Sequence, residues 1–160
     1  EHGIAMNVAG GTHHAYADRG EGFCLLNDQA LAAAALLAQG KAERVLIVDL
    51  DVHQGNGTAA IFANDPRVFT FSMHGKDNYP YHKEKSDLDI ALAAGTSDGE
   101  YLALLAEHLP EIMRRHRPDF MFYQAGVDVL ATDKLGKLSL SLEGCKQRDW
   151  LVLQTAKQAG

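Results

Sequence analysis

The chain has 160 residues, a formal net charge of −6, and 46% hydrophobic against 22% charged residues, the size and balance of one soluble globular domain. The acidic surplus argues against nucleic acid as a partner, since its recognition needs a basic face. The richest apolar stretch, Ala30 to Ala38, is too short to span a bilayer, and no signal peptide is visible. Two cysteines, Cys24 and Cys145, cannot make a disulfide framework and fit a reducing, cytoplasmic compartment. The chain opens on Glu1 rather than Met, as a fragment or processed product would.

Taken in order, Met6-Asn7-Val8 reads as a short strand running into a Gly10-Gly11 turn. Asn27 can cap an alanine-rich helix that ends near Gly40. Val45 to Leu50 is a near-continuous apolar run, the mark of a strand covered on both faces of a parallel sheet. Gly57 to Ala63 reads as a short helix, and Val68 to Met73 as a second long strand. The stretch between His74 and Thr96 carries no clear period and is expected to be a long irregular loop, of the kind that often serves function. Asp98 can cap a helix toward Arg115, with Leu102, Leu105, Leu109 and Met113 on one stripe and Pro110 kinking it. Phe120 to Gln124 is a further strand, and Ser141 can cap a last helix from Leu142 to about Lys157. No repeat or long linker interrupts this alternation, so one α/β domain with right-handed crossovers is expected, its site at the C-terminal strand ends.

Those strand ends are rich in chemistry. The first long strand runs into Asp49-Leu50-Asp51-Val52-His53-Gln54-Gly55-Asn56-Gly57. Asp49, Asp51 and His53 alternate at period two and would share a side if the strand stays extended. Acids placed directly after a buried run must be paired or bind metal if they too are buried. Asp51 and His53 therefore read as a divalent-metal half-site, against the plainer reading of solvated acids at a strand end. Gln124-Ala125-Gly126-Val127-Asp128 brings another acid to a strand end, and Asp128 is the natural third ligand. An O,N,O set of three leaves room for water, the mark of a catalytic site; it suits Zn²⁺ and also accepts Fe²⁺ or Co²⁺.

Gly10-Gly11-Thr12-His13-His14 supplies two loop imidazoles that neighbouring acids could orient as base or acid. Alone, such a pair is more often a surface loop. Phe23, after Gly20-Glu21-Gly22, reads equally as pocket wall or core. His74 is either near the site or a strand cap. His2, His82, His108 and His116 read as surface or packing residues, and both cysteines as buried filler.

Together, Gly10-Gly11-Thr12-His13-His14, Gly22-Phe23-Cys24, the Asp49 to Gly57 segment and Ala125-Gly126-Val127-Asp128 resemble the zinc-dependent histone deacetylase superfamily, in particular its bacterial, class IV-like members. The resemblance covers nearly the whole chain, with the motifs in the family's order. It implies a three-layer α-β-α fold of arginase/deacetylase type with a mainly parallel sheet, and hydrolysis of an N-acyl-lysine peptide or an acylated small amine. It implies Asp51, His53 and Asp128 as zinc ligands and His13 and His14 as the catalytic pair, with Asp49 behind His13 and Asn56 behind His14. A neutral Asn56 should favour a more neutral His14 than an acid would. Gly22, Phe23 and Tyr79 fall at the channel for the acyl-lysine, and Leu135 at its rim. A structural K⁺ is implied at Asp49, Ser72 and Met73, with the backbone of Asp51 and His53. The family has further chain on both sides, including a glycine-rich loop whose tyrosine assists the oxyanion. Residues 1–160 are accordingly expected to be the central part of one catalytic domain, incomplete at both ends and weakly active or inactive alone.

Two other readings exist. An arginase-type ureohydrolase with two Mn²⁺ ions would need further acids where Gln54 and Asn56 stand. A non-catalytic domain that binds acyl-lysine would keep the ligands without turnover. Oligomeric state is not legible in the sequence.

Overall fold

A computed structural model describes residues 3–159. Four strands, β1 (Val45–Asp49), β2 (Val68–Gly75), β3 (Leu88–Leu92) and β4 (Phe120–Gln124), form one sheet in the order β3-β2-β1-β4. All three pairings are parallel, with Asp49 level with Ser72 on β2 and with Gln124 on β4. Parallel neighbours require crossovers: α2 (Asn56–Phe62) links β1 to β2, a non-helical segment, residues 76–87, links β2 to β3, and α3 (Asp98–His116) links β3 to β4. Helix α1 (Asp28–Ala38) precedes β1 and α4 (Leu142–Ala159) follows β4.

The sheet is covered on both faces, which is why β1 is apolar throughout. Val45, Ile47 and Val68 pack with Ala30, Ala33 and Phe62 of α1 and α2. Leu46, Val48, Phe71 and Met73 pack on the other side with Leu105, Leu109 and Val152 of α3 and α4. The result is the expected three-layer α-β-α arrangement. Among the described residues, no helix is long and apolar enough to cross a membrane.

Most elements lie where the pattern puts them. Asn27 caps α1 by accepting from the Ala30 amide, and Ser141 accepts from the Gly144 amide at the start of α4. Helix α3 continues through Pro110 to His116. Four expectations need correction. Met6-Asn7-Val8 forms no strand and is exposed, because no neighbouring strand pairs with it. The segment from His74 to Thr96 is not wholly irregular, since it contains β3. Ser97, not Asp98, is the residue before the first turn of α3. The Asp98 carboxylate instead accepts from the Ser141 amide and hydroxyl, joining α3 to the start of α4. The extended run does not continue past Asp49: residues 51–53 bend, so period two does not govern their side chains.

Candidate metal centre and histidine pair

The bend after β1 turns Asp51 and His53 toward the loop that follows β4. Asp51, His53 and Asp128 each offer one donor atom, and these atoms lie within 4.8 Å of one another. His53 Nδ1 sits 3.0 Å from Asp51 Oδ1 and 3.0 Å from Asp128 Oδ2. The other faces of these groups are tied to backbone. The Val52 amide donates to Asp128 Oδ1 at 3.0 Å, and the His53 amide to Asp51 Oδ1 at 2.8 Å. Two carboxylates and one imidazole nitrogen on a common point, half-buried and held from behind, fit a divalent cation of zinc type. Gly126 lets the two loops come this close: a Cβ there would meet Asp51 Cα at 2.5 Å.

The two histidines lie beside this cluster with ring centroids 4.2 Å apart, and His14 is 5.9 Å from His53. Both are buried. His13 Nδ1 donates to Asp49 Oδ2 at 2.6 Å. Burial alone would lower the His13 pKa, but the Asp49 charge and hydrogen bond outweigh it and raise the value from 6.5 to about 9.

His14 has a different partner. Its Nδ1 lies 2.7 Å from Asn56 Oδ1. The amide orientation follows from the other side of Asn56. Its Nδ2 donates to Glu21 Oε1 at 2.8 Å and to the Tyr16 hydroxyl at 3.1 Å. An ionised carboxylate only accepts, so the amide nitrogen must face Glu21 and the amide oxygen must face His14. The proton therefore sits on His14 Nδ1, and Nε2 of the neutral ring carries the free lone pair. Burial, then the neighbouring His13 charge, lowers the His14 pKa below its usual 6.5.

The expected channel residues are placed unevenly. Tyr79 stands edge-on to His14 at 5.0 Å, and its hydroxyl donates to Glu21 Oε1 at 2.8 Å. Gly22 has φ +55°, and a Cβ there would enter the His14 ring at 2.6 Å, so the backbone passes directly over the imidazole. Phe23, also at positive φ, is fully exposed, which overturns its core reading. Leu135 is exposed as well. Cys24 is buried against the Gly22 and Gly11 carbonyls.

Beside Asp49 lies a cavity of about 10 Å³ whose lining mixes polar Asp49, Thr58, Thr70 and Ser72 with apolar Ile47 and Phe71. Ser72 Oγ is 2.9 Å from His74 Nδ1. His74 is therefore a buried strand residue rather than a cap. His116 donates to the Val45 carbonyl and packs on Phe69. His2 lies outside the described residues.

Sequence reasoning missed three polar residues around this site. Glu21 joins Asn56 to Tyr79. Gln54, fully buried, donates to Asp89 Oδ1 and the Glu84 carbonyl and accepts from the Glu84 amide. Arg148 is fully buried on α4, with Nη1 on the Leu50 and Gly126 carbonyls. The spacing of Glu21 in Gly20-Glu21-Gly22 offered a signal, since a carboxylate between glycines seldom serves packing. Arg148 offered none, because it reads like any charged residue on an amphipathic helix.

A family model for the histone deacetylase domain matches residues 1–160. The chain belongs to the histone deacetylase family. It is 53% identical over 160 residues to an uncharacterized protein of Picosynechococcus sp., covering 100% of this chain and 53% of that protein. It is 37% identical over 161 residues to histone deacetylase 2 of Arabidopsis thaliana, covering 99% of this chain and 42% of that one. Among solved structures, an HDAC homolog from Aquifex aeolicus superposes with TM-score 0.82 at 28% identity, over 91% of this chain and 42% of that chain. The parallel sheet and its flanking helices are thus the deacetylase fold. The chain spans about half the length of the relatives it matches.

Proposed function

We propose that the protein carrying this chain is a zinc-dependent amidohydrolase that removes acetyl or longer acyl groups from N-acyl-lysine or a related acylated amine. The observation that supports this reading best is the convergence of Asp51, His53 and Asp128 beside a buried histidine pair with two different partners. Those three residues would hold the zinc ion, with Fe²⁺ an acceptable substitute for the same donor set. A divalent ion held there supplies a Lewis acid for the acyl carbonyl and lowers the pKa of water.

The remaining work falls to the protein's side chains. His14, with Nδ1 committed to Asn56, takes a proton on Nε2 as water attacks the amide carbon. His13, kept cationic by Asp49, adds positive charge where negative charge develops. A protonated histidine of the pair then returns a proton to the leaving amine, so the proton taken from water ends on the product. Tyr79 walls one side of the acyl-lysine channel, and Gly22 lets the backbone close over His14. Phe23 and Leu135, both exposed, are available to a long substrate at the channel mouth. The acylated nitrogen is neutral, so the acidic balance of the chain would mildly favour only substrates with other cationic groups near it.

A structural K⁺ is a further part of this reading. Asp49 and Ser72 both line the small cavity beneath Asp49, together with apolar Ile47 and Phe71. The Asp49 carboxylate, the Ser72 hydroxyl and the carbonyls of Asp51, His53 and Met73 would hold the ion, which would stiffen the end of β1.

Hydrolysis of an acetyl-lysine peptide by the intact protein tests the reading. Turnover should be blocked by a hydroxamate, a metal-seeking inhibitor, and should fall at least about 10²-fold in His14→Ala, as loss of a general base does. Hydroxamate binding without any turnover would favour an acyl-lysine binding domain instead.

A further inference from the structure

We propose that Arg148 is a positioning residue that sets the separation of the two loops carrying Asp51 and Asp128, and through it the metal affinity of the site. The inference rests on reading Asp51, His53 and Asp128 as the metal ligands.

The last rung between β1 and β4 runs from the Leu50 amide to the Gln124 carbonyl at 3.0 Å. Past it the two chains bend, one into Asp51 and the other toward Asp128. The carbonyls just before those ligands turn to a single nitrogen: Arg148 Nη1 donates to the Gly126 carbonyl at 2.6 Å and to the Leu50 carbonyl at 3.2 Å. Leu50 directly precedes Asp51, and Gly126 lies two residues before Asp128. One planar group thus fixes both loops from below.

The guanidinium is itself fixed. Nε donates to Asp149 Oδ1 at 2.9 Å, and Nη2 lies 2.8 Å from the same oxygen. The Tyr123 hydroxyl of β4 donates to that carboxylate oxygen at 2.5 Å, and its ring lies 5.9 Å from the guanidinium carbon. A fully buried cation is costly to keep, and its rigid fork is suited to holding several acceptors in one plane. None of these contacts touches the ligands' side chains. Arg148 therefore acts on the site through backbone geometry.

The test is zinc affinity, measured by chelator competition in the intact protein, alongside the unfolding temperature of the metal-free form. Arg148→Met should weaken zinc binding by about 10- to 100-fold, the range for outer-shell partners of metal ligands. Arg148→Lys keeps the charge and can reach one carbonyl, so it should recover part of the loss. Tyr123→Phe frees the Asp149 carboxylate and should weaken binding in the same direction by a smaller factor, which keeps the test alive should Arg148→Met not fold. Folded variants with wild-type zinc affinity, whatever their unfolding temperature, would overturn the proposal. Absence of zinc binding in the unmutated protein would contradict the metal reading itself, before any variant is compared.

Discussion

Glu21 holds two donors that belong to different parts of the candidate site: the amide of Asn56, behind His14, and the hydroxyl of Tyr79, whose ring stands edge-on to His14. Its position lets one carboxylate fix both the protonated nitrogen of His14 and the stance of the Tyr79 ring. Its own pKa is lowered, first by the Tyr79 hydrogen bond, so it stays an acceptor at neutral pH. Glu21→Ala removes the group that orients the Asn56 amide. We expect kcat/KM for acetyl-lysine substrate to fall about tenfold or more, beyond the fall in Tyr79→Phe, which leaves the Asn56 bond intact. Steady-state kinetics of both variants decide it, and equal losses would show that Glu21 acts through Tyr79 alone. At this scale the sequence was most legible where residues repeat a spaced motif. Asp51, His53 and Asp128 lie at strand ends and could be paired on paper. Glu21 and Arg148 could not, because their partners are distant in the chain and their roles depend on which carbonyl or amide the fold brings near.

Helix α1 shows how an element can organise the site through backbone contacts with its histidine segment. Asn27, just before its first turn, accepts from the Ala30 amide at 3.1 Å, the ordinary duty of a cap. Its amide nitrogen then donates to Thr58 Oγ1 of α2 at 2.9 Å, to the Ala15 carbonyl at 3.2 Å and to the His13 carbonyl at 3.4 Å. The histidine segment is thereby tied to the starts of two helices. Asn27→Ala loses the cap, about 1 kcal/mol, and leaves buried acceptors short of a donor, about 1 kcal/mol more. Denaturant unfolding should report a loss of about 2 kcal/mol, and a loss below about 0.5 kcal/mol would show that water replaces the side chain. The element pattern was legible for every long apolar or capped segment. It failed at β3, whose Leu88-Asp89-Ile90 alternation is short and set among charges, and at Met6 to Val8, where only Val8 favours a strand and no partner strand pairs with it.

Across the whole molecule, a parallel sheet sandwiched by helices delivers the ends of β1 and β4 to one edge of the fold, and the loops beyond them carry the candidate ligands. This is a property of the architecture, which is why the α/β pattern alone pointed to the strand ends where these residues converge. What the pattern could not supply is how the chain bends after Asp49. That bend separates Asp49, which serves His13, from Asp51 and His53, which turn to Asp128. One metal position and one histidine pair follow from that division, whereas a two-metal centre of ureohydrolase type would draw on further acids. Among the described residues, Asp51, His53 and Asp128 are the one group of three such donors brought together. The most direct measurement is the metal content of the intact, purified protein and of its Asp128→Ala variant, counted per chain. The account predicts one zinc or iron per chain in the unmutated protein and a substoichiometric amount in the folded variant. Two transition-metal ions per chain, or equal transition metal in both proteins, would contradict it.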